Sequence, residues 1–373
     1  MLEQISSQLL SEWSRNFQSE PRPGRLYYLN VPGSLEGGTS TFLGFAEARA
    51  EPLFAVKVFR DPDIAKRAAD EAKMLSMLQR TAVHKSVPRL LLCDRFSGVQ
   101  ALIQSIVQGS PMSASLTSGG LPMLTEADSH IRLAAGWLSD LLTDPATSEE
   151  MHTAGFTWSP SSTLDAYISR FSPSGEEVRF IDALRARLSA LTIKGRLNHG
   201  DFCRHNLLVQ TSSGSSRLSV IDWTDSRVSG NPLHDILFFV TTYFLQIRPT
   251  EGLESFLAAF RSTFSGDSQY AEMVRTHIVR FCDRTSIPLA AADDLFALFL
   301  IERALFEAEQ IDRCARRGVY PRFRLYLAAR ERLAYAALFR AQIWPHFFLE
   351  MVRDSQIGIL CQEQSKRRSG EPI

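Results

Sequence analysis

The stretch from His199 to Trp223 constrains this chain more than any other. His199-Gly200-Asp201-Phe202-Cys203-Arg204-His205-Asn206 runs into the apolar LLVQ, then a turn, then SVIDW with Asp222. Read physically, a loop presents an Asp and an Asn, and a hairpin then returns to present a second Asp. Apolar strands on either side would hold the three groups rigidly. Asp201 is of the type that accepts a proton from an attacking hydroxyl. Asn206 and Asp222 are oxygen donors, which suit Mg²⁺, a hard ion that also binds substrate phosphates. With ordinary residue frequencies, the pattern from His199 to Asn206 arises by chance in on the order of one chain in a thousand of this length. The bland alternative is a polar turn between two strands.

The rest of the chain sets that stretch in a two-part architecture. At 373 residues it exceeds the usual size of one core, so two subdomains are expected. The segments RLYYLNV, STFLGFAEA and LFAVKVF read as strands. IAKRAADEAKMLSMLQR reads as a helix, and RLLLCDRF and VQALIQSI as two more strands. The Gly/Ser/Pro-rich loop at 110–122 marks a boundary. Beyond it the pattern is mostly helical, apart from NLLVQ and SRLSVIDW, and only helical patterns appear from Leu233 to about Asp354. The expected divisions are an N-terminal amphipathic helix within 1–24, a strand-rich lobe over 25–106, a helical lobe over 107–355 and a loose tail over 356–373. Leu2, Ile5, Leu9 and Trp13 give the first of these its apolar face.

Several function classes are excluded by composition. The 41 Lys+Arg balance 41 Asp+Glu, which argues against a nucleic-acid binder. Cys93, Cys203, Cys282, Cys314 and Cys361 are far apart and form no CxxC, so neither a zinc ribbon nor a redox pair is expected. No apolar run approaches the roughly 18–20 residues of a membrane span. The N-terminus has acids and polar residues where a signal peptide has a basic stretch and an apolar core. A reduced, cytoplasmic protein is expected.

With HGD-x4-N followed by I-D-W, the chain resembles the aminoglycoside phosphotransferase/choline kinase family, a branch of the protein-kinase-like superfamily. The resemblance implies an α+β, protein-kinase-like two-lobed fold, with a small antiparallel-sheet N-lobe and a larger, mostly helical C-lobe. It implies that Asp201 is the catalytic Asp and that Asn206 and Asp222 are magnesium ligands. DWTDSRVSGNPLHDI also matches the family's D-W, G-x-P and D-hydrophobic run, which makes Asp235 a carboxylate that braces the catalytic loop. Lys57 in FAVKVF then matches the phosphate-gripping Lys of the third strand, and Glu71, 14 residues on, its helix partner. Asp70 is the adjacent competitor for that role, but it faces about 100° away on a helix. PGSLEGGTSTF is similar to the family's phosphate-covering turn, with Gly37 and Gly38 for close approach and Ser40 among its hydroxyls. VQALIQSIVQGSP would be the hinge, where backbone near Gln104 and Ile106 meets adenine. The implied active site lies in the cleft between the lobes.

The activity implied is transfer of the γ-phosphoryl group of ATP (or GTP), with Mg²⁺, to a hydroxyl of a small molecule: a sugar, nucleoside, amino alcohol or aminoglycoside-like metabolite. The alternatives are a weak or inactive nucleotide-binding module, or a protein kinase. The latter is disfavoured because no A-P-E is present and Asp222 and Asp235 lie too close for a peptide platform. Arg204 is a departure, a cation next to the proposed metal ligands. A nucleophilic role for Cys203 has no second element behind it, and His199, His205 and His234 match no zinc spacing. Trp223 and the Leu/Phe stripe at 295–306 read as packing. From Val240 to Ile373 there are 16 Asp+Glu and 18 Lys+Arg, so the acceptor lobe is not acidic. The arginines between 313 and 332 read as a solvated face or a site for an anion. Glu302, Glu307, Glu309 and Asp312 read as helical ion-pair partners or as a site for an amine.

Overall fold

The computed structural model describes the chain apart from residues 19, 32–38, 61, 115–122, 154–157, 213, 246–252, 267, 317–342 and 361–373. The first third runs α1 (Leu2–Ser11), α2 (Trp13–Asn16), β1 (Leu26–Val31), β2 (Thr39–Ala46), β3 (Phe54–Phe59), α3 (Pro62–Leu78), β4 (Leu90–Phe96), β5 (Val99–Ser105) and β6 (Ser110–Pro111). Then come α4 (Leu124–Thr143), α5 (Pro145–Thr153), α6 (Pro160–Phe171), α7 (Gly175–Ala190), β7 (Arg196–Asn198), β8 (Leu207–Ser212), β9 (Ser215–Val220) and β10 (Arg227–Gly230). The last elements are α8 (His234–Phe244), α9 (Leu253–Phe264), α10 (Gln269–Thr285) and α11 (Ala292–Arg316), and residues 343–353 are also helical. Two compact units result. Unit 1 joins Met1–Pro111, Asp144–Glu150 and His205–Ser226, and unit 2 joins Met112–Thr143, Met151–Arg204 and Arg227–Ile373.

Unit 1 is built on an antiparallel sheet in the order β1-β2-β3-β5-β4. Its central strand, β3, is rich in β-branched and aromatic residues, and every residue of it is buried. One face packs against the N-terminal helices, where Ile5, Leu9, Trp13 and Phe17 meet Phe54, Val56, Val58, Ala101 and Ile103. Side chains alternate across a strand, so Val56 and Val58 on that face send Lys57 to the other. On α3, Ile64, Ala68, Ala72, Leu75 and Leu78 form a buried stripe at helical spacing. Glu71 lies within that stripe and is fully buried, while Asp70 is exposed. A second sheet, β6-β8-β9, pairs Leu207 with Val220 and so brings the residues just outside β8 and β9 side by side.

Unit 2 is mostly helical. α8 is buried almost all round, as expected of a helix apolar on every side. Phe260 stacks on Phe347 at 4.3 Å between ring centroids, and Phe264 lies 4.6 Å from Phe296. The residues from Leu295 to Ile301 are fully buried, so the stripe on α11 is core. β7 and β10 form a short antiparallel ladder, with Asn198 opposite Arg227. The fold is therefore α+β, an antiparallel N-terminal sheet followed by a mostly helical remainder. The expected order of three strands, one helix and two strands is present as β1 to β5 with α3. Among the described residues no helix is long and apolar enough to cross a membrane.

Candidate active site

Lys57 stands at the centre of a charged cluster inside unit 1. Its ammonium donates to Glu71 Oε1 at 2.5 Å, to Asp222 Oδ1 at 2.7 Å and to Thr224 Oγ1 at 3.2 Å. All three N–H bonds of the ammonium therefore have partners. The Thr224 hydroxyl lies 2.9 Å from Glu71 Oε2 and 2.8 Å from Asp222 Oδ1, and its single proton serves one of them at a time. Burial acts to lower the Lys57 pKa, but the carboxylates of Asp222 and Glu71 outweigh it, and the net direction is upward. The lysine is held charged, with the acid from α3 on one side and the acid that follows β9 on the other. Arg67 on α3 adds a second clasp, 3.0 Å from Asp225.

The two carboxylates differ in setting. The Glu71 side chain has no exposure, while that of Asp222 is 46% exposed. Asp222 also holds a left-handed backbone at φ 65°. Such a conformation is uncommon outside glycine, though Asp and Asn tolerate it best. It turns the chain sharply after β9. Trp223 is then fully buried, with its indole N–H donating to the Val220 carbonyl at 3.3 Å. Asn206, at the start of β8, accepts the Ile221 N–H on its carbonyl at 3.0 Å. The hairpin thereby sets Asn206 and Asp222 at one end of the same two strands.

Asp201 belongs to unit 2, where its neighbourhood is built around Asp235. Asp235 Oδ2 accepts the His199 N–H at 2.6 Å, and Oδ1 accepts the Gly200 N–H at 3.0 Å. Gly200 sits at φ 85°, which a residue with a Cβ adopts only under strain. Asp201 donates its own N–H to His199 Nδ1 at 3.2 Å. Burial acts to raise the Asp235 pKa, but the hydrogen bonds from His234 and the His199 backbone overcome it and hold the carboxyl below its usual range. Burial keeps His234 below the usual range as well. Phe202 anchors the loop, fully buried and 5.8 Å from the ring of Trp137. The Cys203 N–H donates to the Asp201 carbonyl at 2.9 Å.

The remaining expected residues lie in unit 1. Gln104 on β5 pairs with Ala55 and Leu90 and points to the same sheet face as Lys57. Its side chain is buried, and its Oε1 has no hydrogen-bond partner among the described residues. Ile106 donates its N–H to the Leu53 carbonyl at 3.2 Å. Ser40 lies on β2 opposite Val58. Gly37 and Gly38 lie outside the described residues, as do the arginines from Arg317 to Arg332. Thr224 is the residue that motif matching passed over. It falls in the third place of D-W-T, where only its hydroxyl, two residues beyond Asp222, hints at a polar role.

A family model described as "Phosphotransferase enzyme family" matches residues 46–273, more than half of the chain. The chain belongs to the phosphotransferase enzyme family. Membership carries phosphoryl transfer as the class of reaction and a nucleotide as a bound molecule. No curated protein matches the sequence. Among solved structures, the chain is similar to aminoglycoside phosphotransferase APH(3'')-Id from Streptomyces rimosus, at 16% identity over 79% of this chain and 95% of that one, with a TM-score of 0.46. It is also similar to APH(2")-IIa in a gentamicin complex (14% identity, 90% and 95% coverage, TM-score 0.45). A third is a type VIII aminoglycoside-3'-phosphotransferase (18%, 73% and 98%, 0.37).

Proposed function

We propose that the chain is a small-molecule kinase that transfers the γ-phosphoryl group of ATP or GTP to a hydroxyl of a sugar, nucleoside, amino alcohol or aminoglycoside-like acceptor. The observation that carries this reading is Lys57, held charged between Glu71 and Asp222 with Thr224 as a shared hydroxyl. A buried ammonium held charged in this way attracts phosphate oxygens, and would exchange its Thr224 or Asp222 contact to donate to them. Ser40, with Gly37 and Gly38, would cover the phosphates, and Gln104 and Ile106 would face the base.

Asn206 and Asp222 fit a magnesium ion. Both are hard oxygen donors at one end of a hairpin, and the Asp222 carboxylate is half exposed while its lysine partner is buried. When bound, the ion neutralises charge on the transferred phosphoryl group and its leaving oxygens. Asp201 accepts the proton of the attacking hydroxyl. Asp235 fixes the His199–Gly200 backbone that leads into it, and positioning supplies most of the rate.

Transfer from Mg·ATP and Mg·GTP to a panel of aminoglycosides, amino alcohols, sugars and nucleosides tests the reading, with Asp201→Asn run alongside. The expected result is one acceptor class phosphorylated, and at least roughly a 10²-fold loss in the variant. The absence of both transfer and a nucleotide-dependent rise in Tm overturns it.

A further inference from the structure

Unit 2 contains a cavity of about 750 Å³, within the size range of small-molecule sites. Two facing helices make its walls. α6 turns Ser159, Ser162, Thr163, Ala166, Ser169 and Arg170 toward it, at the spacing of one helical face that begins at the helix's N-cap residue. α11, which packs against α6, contributes Glu302, Leu305, Phe306, Glu309 and Asp312, again one face. Gly200, the residue before Asp201, lines the cavity beside Ser229 and Asn231.

The charges of this lining come close to balance, with Arg170 and Arg227 against Glu302, Glu309 and Asp312. Arg170 binds both oxygens of Asp312 at 3.0 and 3.3 Å. Burial raises the Glu302 carboxyl to about 7, against the opposing pull of Arg227. The buried indole N–H of Trp158 and the Asn231 side chain are directed at that carboxyl and act to lower it. His234 is committed to Asp235. Beside those charges, five hydroxyl side chains and the apolar faces of Trp158, Leu305 and Phe306 are the groups the cavity offers to a ligand. Hydroxyls give and take hydrogen bonds with other hydroxyls in any orientation, while a polycation needs several unspent carboxylates.

We infer that this cavity takes an uncharged, hydroxyl-rich acceptor, a glycoside or nucleoside, whose ring packs on the apolar wall of α11 while its hydroxyls bond to the Ser/Thr face of α6. The inference rests on the kinase reading for the word acceptor, and on the cavity itself for the ligand class. The α6 hydroxyls read the ligand, and the catalytic loop at Gly200 receives the hydroxyl that is to react.

Equilibrium binding to the full chain, saturated with Mg·ADP, tests it. The probes are sucrose, maltose and uridine as neutral ligands, kanamycin and choline as cations, and glucose 6-phosphate as an anion, each at 50 and 500 mM NaCl. A neutral probe is expected to bind most tightly and to change less than about twofold with salt, since no net charge is being screened. Thr163→Val and Ser169→Ala are each expected to weaken it by roughly 2- to 12-fold, the scale of one hydrogen bond, with Tm unchanged. Sugar against uridine separates the two neutral sources. Tightest binding by kanamycin, choline or glucose 6-phosphate overturns the inference, and so does binding by no neutral probe. Phosphoryl transfer measured in parallel keeps the two readings apart. A neutral probe that binds without being phosphorylated sinks the kinase reading alone, and a phosphorylated cation sinks the ligand class alone.

Discussion

Replacing Lys57 with Met isolates the energetics of the cluster. Glu71 then loses its 2.5 Å ammonium partner while remaining fully buried, and keeps only the Thr224 hydroxyl at 2.9 Å. Breaking a buried pair by removing one partner costs about 3–5 kcal/mol, because an uncompensated charge stays behind. Asp222 adds little to this, since its half-exposed carboxylate is rehydrated, and exposed pairs are worth about 0.2–1 kcal/mol. At pH 8 the variant should therefore lose about 3–5 kcal/mol of unit 1 stability. Replacing both groups, Lys57→Met with Glu71→Met, should recover most of the loss, since an apolar pair leaves no charge unpaired. Hydrogen exchange of the β3 amides reads unit 1 separately from unit 2. The single variant should exchange at least roughly 10²-fold faster at pH 8, given tenfold for every 1.4 kcal/mol. Unchanged exchange in the single variant, or a double variant no better protected than the single, refutes the account of Glu71 as a carboxylate that depends on Lys57.

Three other outcomes follow from the geometry. Asp235→Ala leaves the buried N–H groups of His199 and Gly200 without their acceptor, and is expected to cost about 2–5 kcal/mol in urea unfolding, with Asp235→Asn costing less. Glu302→Gln should raise Tm relative to the wild type, and by more at pH 8 than at pH 5. The folded carboxyl at about 7 holds its proton where the unfolded chain has lost it, so wild-type stability falls as pH rises through that range, by at most about 3 kcal/mol; a gap that does not widen with pH counts against it. Gly44→Ala puts a Cβ within 2.2 Å of the fully buried Phe54 ring and should cost about 1–3 kcal/mol in thermal unfolding.

Much of unit 1 was legible because its signals are local. β3 announces itself by its β-branched and aromatic residues, α3 by a stripe of period 3.6, and the β8–β9 hairpin by two apolar runs around a turn. Glu71 was separable from Asp70 for the same reason, since only one of them falls on the buried stripe. β6, β7 and β10 were not legible. They are two to four residues long, and β10 carries Arg227 and Ser229, so long-range pairing rather than propensity makes them strands. The burial of Phe202 inside a polar loop was not legible, because its partners Trp137 and Phe239 are distant in sequence. The cavity walls were hidden for a related reason. The α11 acids could be read from their spacing, but the hydroxyl face of α6 acquires meaning only once the two helices are packed together.

The left-handed turn at Asp222 restricts what evolution can do with this position. Residues other than Gly, Asn and Asp meet a penalty of roughly 1–2 kcal/mol in that conformation. Asparagine escapes it, and one base change in the codon converts aspartate to asparagine. If Asp222 holds magnesium as proposed, a lineage carrying this sequence has a short route out of catalysis. A single transition would keep the hairpin, the buried tryptophan and the Lys57–Glu71 pair, and remove only the charge. Inactive descendants that still hold nucleotide would be expected to bear their lesion at this codon, and to look intact everywhere else.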